Sequence, residues 1–505
     1  MHKTDILFIN PHSSSKAYQS LSKDYSAKEP PTWALLLAQT CLKNNYKANI
    51  LDSDAERHSL DESLDIIKYI SPKICCFVLY GQNPNSGTTS MIGASELASA
   101  IKDSHIDTKI VFVGSHVSAL PNEVLSEKFV DFVLINEGVY GLLDLLKTDL
   151  NNNLDKCQSI GYKKDGKNFF SSSSSLVPNE RMDIDLPGYA WDLLPKNKTA
   201  LDKYRAHYWH SYFKHDNEKF VSIYSSLGCM FACNFCMINI LNRTNLNEFS
   251  DASSFKGMRF WSPEFFLSQL EILHELGVKH IRLADEMFFL NKKYYIPILE
   301  GVIKRGFNFN FWAYARVDTV REDQLELFKK AGVNWLALGI EAGSQTVRQS
   351  IEKGRFKDMN VREVVNIIKA HDINVLGNYI FGFPEDTYET MQETLDLALE
   401  LNCEHANFYA CQALPGSPLY TNAVKNNVDV PKKYEEFAFL SYECKPMPTN
   451  YVSAKEVLKF RDDAWQKYFE NPKFLGLIKN KFGETNMNNV VQQSKIRLKR
   501  KLLGD

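Results

Sequence analysis

The sequence lacks both an excess of charge of one sign and a long hydrophobic run. Its 505 residues contain 59 Lys and Arg against 61 Asp and Glu, for a formal net charge of -2. No overall electric field therefore favours nucleic acid or an anionic membrane as a partner. The apolar run at residues 74–80 is far shorter than the roughly 18 residues that a membrane-spanning helix needs. Since the first residues also lack the pattern of a signal peptide, we expect a cytoplasmic protein without a membrane span.

The composition excludes the non-globular classes. Hydrophobic residues make up 44% of the chain and charged residues 24%, which is ordinary for a folded protein and unlike disordered, collagen-like or coiled-coil chains. The length predicts about three domains. There are ten cysteines, and in a reducing compartment clustered cysteines bind metal or take part in chemistry more often than they form disulfides.

Residues 1–148 show the pattern of a Rossmann-like domain. Five apolar stretches alternate with helical stretches, which is typical of parallel strands buried on both faces. The predicted strands are 5–9, 47–51, 73–80, 109–113 and 131–135. Asn10-Pro11-His12-Ser13 follows the first strand in place of a GxGxxG turn, so we expect a large ligand other than a dinucleotide at the carboxyl ends of the strands.

The rest of the chain divides into a linker (149–218), a second alternating region (219–425) and a helical region (426–505). The linker contains a predicted hairpin turn at residues 164–167. The second region predicts a partial, TIM-like (β/α)6 barrel with functional residues at the carboxyl ends of its strands. Its predicted strands are 220–226, 279–284, 308–314, 335–340, 374–381 and 404–410. The basic residues near the C-terminus predict a solvated helix face, and these are Lys495, Arg497, Lys499, Arg500 and Lys501.

A cysteine cluster follows the first strand of the predicted barrel. Cys229, Cys233 and Cys236 form a C-x3-C-x2-C loop, and the next cysteine is Cys403. Zinc normally takes four ligands, which makes it the weaker interpretation. Three thiolates suit a four-iron four-sulfur cluster whose fourth iron stays open to a substrate or cofactor.

This loop, with Phe235 before its third cysteine, resembles the motif of the radical S-adenosylmethionine (SAM) superfamily. The resemblance covers about residues 219–425 and implies that the open iron binds SAM, whose reductive cleavage yields a 5'-deoxyadenosyl radical. The chain departs from the family at Asp285, where a Gly-Gly-Glu motif usually stands, and at Asn378, the first Gly of GxIxGxxE. The SAM contacts that the resemblance implies are Asp285, Glu286, Arg316, Glu341, Ile380 and Gly382.

A Rossmann-like domain before such a barrel resembles the cobalamin-dependent branch of the superfamily. The corrin contacts that this resemblance implies follow the third, fourth and fifth strands, and they are Tyr80, Gln82, Asn83, Gly114, Ser115, His116, Glu137 and Gly138. Domains that ligate cobalt through histidine carry DxHxxG after the first strand. Here Asn10-x-His12-x-x-Ser15 shares only the histidine. We therefore predict Asn10 and His12 as cobalamin contacts, without ligation of the cobalt by His12.

The resemblance implies a methyltransferase that acts on an unactivated carbon or phosphorus of a small molecule. One SAM would supply the methyl group through methylcobalamin, a second would supply the radical, and a flavodoxin or ferredoxin type of reductant would supply the electron. A non-methylating oxidative cyclase or ring-rearranging enzyme is the alternative. A cobalamin sensor is a weaker one, because a binding module has no need of the three-cysteine loop. The sequence identifies neither the substrate nor a catalytic side chain, although Trp312, Tyr314 and Tyr409 lie near strand ends.

Overall fold

The N-terminal half of the fold is a seven-stranded sheet. The computed structural model describes residues 2–81, 84–171, 176–196, 198–214, 218–246, 250–351 and 359–505. The strands of this sheet are β1 (Thr4–Asn10), β2 (Ala48–Asp52), β3 (Pro72–Leu79), β4 (Lys109–Gly114), β5 (Phe132–Leu134), β6 (Ile160–Lys164) and β7 (Lys167–Phe170). Their order is β2-β1-β3-β4-β5-β6-β7. The five predicted strands are confirmed as β1 to β5, parallel to one another.

Helices cover both faces of this sheet, as buried parallel strands require. They are α1 (Ser14–Tyr18), α2 (Leu21–Asp24), α3 (Thr32–Lys43), α4 (Ser53–Glu56), α5 (Leu60–Ile70), α6 (Gly87–Asp103), α7 (Ser115–Ala119), α8 (Pro121–Ser126) and α9 (Val139–Lys147). Nine of the twelve residues of α3 are buried. Its first residue reaches the next domain, since Thr32 Oγ1 donates a hydrogen bond to the Ser222 carbonyl at 2.8 Å.

The segment predicted as a linker is part of both domains. The predicted turn at residues 164–167 joins β6 and β7, and this hairpin pairs antiparallel with β5. After the short helix α10 (Met182–Asp185), the chain passes under the barrel. There the Trp209 ring packs within 5.2 Å of Trp312 and 5.0 Å of Trp335, so the segment closes one end of the barrel with a buried aromatic cluster.

The second half of the fold is the predicted partial barrel. Its strands are β8 (Lys219–Ile223), β11 (Val278–Leu283), β12 (Asn310–Arg316), β13 (Val333–Glu341), β14 (Asn374–Phe381) and β15 (His405–Ala410), and a separate hairpin consists of β9 (Ser226–Cys229) and β10 (Gly257–Phe260). The six barrel strands are parallel in the order β15-β14-β13-β12-β11-β8. The first strand ends at Ile223 rather than at 226, because Asp285 holds Ser225 and Ser226 in a turn.

The barrel helices lie between the strands, and a helical region follows them. These helices are α11 (Pro263–Glu275), α12 (Lys292–Lys304), α13 (Glu322–Lys330), α14 (Gln345–Ser350), α15 (Val361–Ala370), α16 (Tyr388–Leu401), α17 (Pro418–Lys425), α18 (Ala454–Phe469), α19 (Pro472–Phe482) and α20 (Glu484–Ser494). Within the ranges given above, none of the helices combines the length and apolar character needed to cross a bilayer.

The prediction of a solvated basic helix face at the C-terminus is confirmed in part. Lys495, Arg497, Lys499 and Lys501 are exposed, but they do not share a helix face and Arg500 is not exposed. Helix α20 ends at Ser494, and Arg500 is completely buried. Its guanidinium donates to both carboxylate oxygens of Asp462 on α18, at 2.9 and 3.0 Å, and to the Phe439 and Ser441 carbonyls. The terminal segment therefore packs against α18. The Asp462 carboxylate compensates the cost of burying the Arg500 charge.

Candidate functional site

The cysteine loop leaves the end of β9 in a defined conformation. Gly228 has φ +86, and a Cβ there would lie 2.3 Å from the Gly257 carbonyl oxygen across the hairpin, so the close pairing of β9 with β10 requires glycine. The Cys229 N–H donates to Asn239 Oδ1 at 3.0 Å, and the Cys236 N–H donates to the Cys233 carbonyl at 3.1 Å. These bonds fix the backbone that carries the three thiols.

Each thiol has a different neighbour. Arg316 Nη1 lies 3.7 Å from Cys233 Sγ, and Asn85 Nδ2 lies 3.9 Å from Cys236 Sγ. Burial raises the pKa of Cys229 to about 12 and that of Cys236 well above its usual value. Both are thiols at neutral pH unless a metal takes the place of the proton.

The arrangement does not suit a zinc ion. Among the described residues, no group of three or more His, Cys, Asp or Glu side chains is placed to hold a single metal ion, whereas zinc draws its ligands to one point. In an iron–sulfur cluster each thiolate binds a separate iron, so the three sulfur atoms stay apart.

The two acidic residues after β11 have different environments. Asp285 is fully buried and accepts hydrogen bonds from Ser225 N, Ser225 Oγ and Ser226 Oγ, so its carboxylate holds the start of β9. Glu286 lines the central cavity, and its Oε1 is buried without a hydrogen-bond partner among the described residues. Burial raises the pKa of Glu286 to about 8, although Arg282 acts in the opposite direction. An unsatisfied buried carboxylate of this kind fits the amino group of a bound ligand.

Arg316 lies directly beside the cysteine loop. Its Nε and Nη2 donate to the two carboxylate oxygens of Asp318, both at 2.8 Å, and its guanidinium carbon lies 3.7 Å from the centre of the Phe231 ring. Arg316 is a predicted SAM contact, but its Nε and Nη2 are thus occupied by Asp318, and its Nη1 is directed to Cys233. Glu341 ends β13 with φ +62 and lines the cavity together with Arg316.

The predicted SAM contacts at the end of β14, Ile380 and Gly382, differ in their position relative to the cavity. Ile380 and Asn378 line the cavity, and Asn378 accepts a hydrogen bond from Asn407 Nδ2 at 3.0 Å. Gly382 does not line it. Its N–H donates to Asp386 Oδ2 at 2.9 Å, and a Cβ at Gly382 would lie 2.4 Å from Val457 on α18.

The strand-end glycines of the N-terminal domain serve its internal packing. A Cβ at Gly114 would lie 2.2 Å from the Leu79 carbonyl oxygen, and one at Gly138 would lie 2.8 Å from Val113 Cγ2. Ser115 and His116 are buried, and His116 Nδ1 is 3.0 Å from Thr88 Oγ1. None of these four residues lines the central cavity.

Tyr80 and Glu137 lie in the contact between the two domains. The Tyr80 ring stacks on Trp33 at 4.3 Å, and its hydroxyl donates to the Asn136 carbonyl at 2.5 Å. Glu137 accepts hydrogen bonds from Val177 N and Arg259 Nη1 at 2.6 and 2.7 Å. Both side chains are therefore used within the protein.

The loop after β1 lies against side chains of its own domain. Asn10 Nδ2 donates to Asp52 Oδ1 at 2.7 Å. His12 Nε2 lies 3.1 Å from Ser15 Oγ, and His12 Nδ1 lies 3.5 Å from Asp54 Oδ1. Gln82 and Asn83 lie outside the described residues.

A cavity of about 600 Å³ connects the three parts of the molecule. Its lining combines residues expected from the sequence with others that no local pattern indicates, since they come from helices and loops far apart in the chain. The N-terminal domain contributes Tyr18, Asn85, Ser86 and Thr89; the barrel contributes Glu286, Trp312, Tyr314, Arg316, Glu341, Ile380 and Tyr409; the C-terminal region contributes Phe439, Arg461 and Gln466. The one local signal for Asn85 is its position after a buried parallel strand.

Known proteins resemble both the barrel and the whole chain. Residues 223–398 match the family model described as the radical SAM superfamily. An uncharacterized methyltransferase of Pyrococcus horikoshii is 26% identical over 449 residues, which is 88% of this chain and 89% of that protein. The anaerobic magnesium-protoporphyrin IX monomethyl ester cyclase of Rubrivivax gelatinosus is 24% identical over 93% of this chain and 78% of that protein.

The fold is shared with a solved structure. The radical SAM methyltransferase TsrM from Kitasatospora setae, whose structure holds cobalamin and a [4Fe-4S] cluster, superposes with a TM-score of 0.65 at 14% identity over 98% of this chain and 99% of that one. The predicted architecture is thus confirmed. Residues 223–398 form a barrel of the radical SAM superfamily, and the chain as a whole shares its fold with a solved structure that holds cobalamin and a [4Fe-4S] cluster.

Proposed function

We propose that the protein is a cobalamin-dependent radical SAM methyltransferase that acts on an unactivated carbon or phosphorus centre of a small molecule. The observation that carries this proposal is the shared cavity, which is lined by the loop after β3, by strand ends of the barrel and by the C-terminal region. Methyl transfer from one cofactor to a radical generated by another requires both to face one substrate, and such a cavity provides this. The methyltransferase name of the relative that covers most of the chain supports the same function.

The residues present fit a cluster and SAM. Cys229, Cys233 and Cys236 would hold the cluster, and the unsatisfied Glu286 Oε1 would accept a hydrogen bond from the SAM amino group. Ile380 would contact the adenine from the cavity wall. When bound, the cluster supplies the electron that cleaves SAM, and the corrin carries the methyl group. Arg316 lies beside Cys233 with its charge balanced by Asp318, so it positions the loop and lowers the local negative charge of the thiolates.

The residues that fit cobalamin differ from those in the predicted set. Among the described residues of the β3–α6 loop, Asn85 and Ser86 line the cavity, whereas Gly114, His116 and Glu137 do not. Amide and hydroxyl side chains suit the amide-rimmed edge of a corrin. We therefore assign the cobalamin to this loop, and we assign no cobalt ligand to His12, whose ring nitrogens face Ser15 and Asp54.

The second candidate is a non-methylating cyclase or ring-rearranging enzyme, which the cyclase relative favours. The two functions differ in how they use SAM. Methylation consumes one SAM as methyl donor and one as radical source, so S-adenosylhomocysteine and 5'-deoxyadenosine should form in about equal amounts. A cyclase would release 5'-deoxyadenosine with little S-adenosylhomocysteine.

The experiment uses methyl-labelled SAM with the anaerobically reconstituted, cobalamin-loaded full chain. Candidate substrates are supplied with a strong reductant, and products are separated by chromatography. We expect label in the product and equal amounts of the two SAM products. An unlabelled product formed while 5'-deoxyadenosine accumulates would favour the cyclase instead. A Cys233→Ala variant, which lacks one of three protein ligands, controls for cluster-independent chemistry.

We further propose that a flavodoxin or ferredoxin type of protein reduces the cluster in the cytoplasm. All ten cysteines are free in the structure, which is usual for reducing compartments. Reduction of the cluster by purified flavodoxin, followed spectroscopically, tests this proposal.

A further inference from the structure

The C-terminal region supplies one wall of the cavity, and this wall carries a buried guanidinium. Arg461 lies on α18, lines the cavity and is 7% exposed. Next to it along the cavity are Tyr409 from β15 and Phe439, whose rings pack edge to face at 5.1 Å. The cavity wall near Arg461 thus includes two aromatic rings.

The guanidinium of Arg461 is only partly satisfied. Its Nε donates to the Phe408 carbonyl at 2.7 Å, and its Nη1 donates to Asp462 Oδ1 at 2.7 Å. In the part of the chain that the structure describes, no group accepts a hydrogen bond from its Nη2. Because Arg461 lines the cavity, a bound ligand can supply an acceptor for this donor.

The local charges leave an excess of positive charge. The single carboxylate of Asp462 pairs with Arg461 and also with Arg500, whose Nε is 2.9 Å from its Oδ2. Burial and the nearby Arg500 lower the pKa of Arg461, and Asp462 opposes them only in part. Asp463 also lines the cavity, but its carboxylate pairs with Lys459 at 2.7 Å. The other acidic residues named in the lining, Glu286 and Glu341, lie at the ends of barrel strands. Two buried guanidiniums therefore share one carboxylate.

We infer that Arg461 binds a carboxylate of the substrate and that the rest of this substrate is an apolar or aromatic body that packs against Tyr409 and Phe439. This inference rests on the proposed function, since it assigns the substrate class of that site. The C-terminal wall of the cavity joins aromatic rings to a charged donor, and such a wall selects ligands that have both an apolar body and an anionic group. A guanidinium is well suited to a carboxylate. The substrate class is thus an aromatic or aliphatic carboxylic acid.

The test uses two probes of equal shape and different charge. Binding of 2-naphthoate and of its neutral amide, 2-naphthamide, to the anaerobically reconstituted full chain is measured by equilibrium dialysis. We expect the acid to bind at least about tenfold more tightly than the amide, because a hydrogen bond to a charged group contributes that much. Equal binding of the two probes, or no binding of either, would overturn the inference.

Variants assign the preference to Arg461. In Arg461→Gln the ratio of acid to amide affinity should fall to about one, and Arg461→Lys should restore part of it because the charge returns. Arg497→Gln is the matched control, since Arg497 also lines the cavity but is exposed and pairs with Glu470. An acid preference that persists in Arg461→Gln would contradict the inference, and so would a tenfold loss of SAM affinity with the probe ratio unchanged, because Arg461 would then serve SAM. If Arg461→Gln fails to fold, the ratio of acid to amide affinity in the wild-type protein and in Arg461→Lys still tests the inference.

This outcome is separable from that of the proposed function. The probe experiment measures binding without turnover, whereas the methyl label measures the reaction. Acid selectivity without any labelled product would contradict methyl transfer and leave the substrate class standing. Labelled product from neutral substrates only, with no acid selectivity, would contradict the substrate class and leave methyl transfer standing.

Discussion

The Glu137 carboxylate accepts hydrogen bonds from Arg259 Nη1 and Nη2 at 2.7 and 3.3 Å, and this ion pair joins the end of β5 to β10 beside the cysteine loop. The side chains are 2% and 12% exposed, respectively. A buried pair of this kind stabilises the domain contact chiefly because each partner alone would be an uncompensated charge.

Replacement of Glu137 by Ala should therefore destabilise the protein. We expect the free energy of unfolding to fall by about 3 to 5 kcal/mol, as is usual when one partner of a buried pair is removed. Urea unfolding measures this change. The exposed pair Arg362–Glu400 provides the control, where Arg362→Ala should cost less than about 1 kcal/mol. Equal losses at the two sites would show that the Glu137 pair is not buried in solution.

Glu137 also illustrates how far the sequence alone can lead. Local patterns predicted the strands, the hairpin turn and the cysteine loop, because each depends on residues that are near one another in the chain. The partner of Glu137 is Arg259, which lies 122 residues away in the chain. The sequence alone predicts a ligand contact for Glu137 because this residue follows a parallel strand, whereas the structure shows that its carboxylate binds Arg259. Arg500 was misjudged for the same reason, since only the folded chain brings Asp462 to it. Arg461 reaches the cavity through packing that no local pattern indicates, and for Asn85 the only local signal is its position after a buried parallel strand.

Replacement of Glu286 by Gln should weaken SAM binding without loss of the cluster. Glu286 has a buried, unsatisfied oxygen in the cavity, and a bound ammonium group would favour its ionised form although burial raises its pKa. The Gln variant would therefore lose a charge-assisted hydrogen bond to the SAM amino group. We expect the dissociation constant for SAM to rise at least about tenfold, measured by calorimetry on the reconstituted protein, with iron content unchanged. Glu385→Gln, at an exposed position that bonds Asn450, is the matched control. An unchanged dissociation constant would exclude Glu286 from SAM binding.

Replacement of Asn85 by Ala should lower the reduction potential of the cluster. Asn85 Nδ2 lies 3.9 Å from Cys236 Sγ, and hydrogen bonds to the ligating sulfurs raise cluster potentials by stabilising the reduced form. Loss of about 1 kcal/mol corresponds to about 40 mV for a one-electron couple. Redox titration followed by electron paramagnetic resonance measures the shift, with Ser86→Ala as control. A potential that stays the same or rises would show that the Asn85 amide does not donate to the sulfur.

The buried histidines should make the fold sensitive to acid. Burial lowers the pKa of His405 to about 3, with a smaller contribution from His207, and lowers that of His116 to about 4. The ordinary pKa of histidine is about 6.5, so below that pH the unfolded chain binds protons that the folded chain does not, and stability falls as the pH falls towards the folded-state values. Each histidine should lower the free energy of unfolding by about 1.4 kcal/mol between pH 7.5 and pH 5.5.

Urea unfolding at the two pH values measures this loss. The loss should be smaller by about 1.4 kcal/mol in His405→Gln than in the wild-type chain, whatever the stability of that variant at pH 7.5. His105→Asn, at an exposed loop position, is the control. A loss in His405→Gln as large as in the wild-type chain would mean that His405 is already protonated in the folded state or is reached by water.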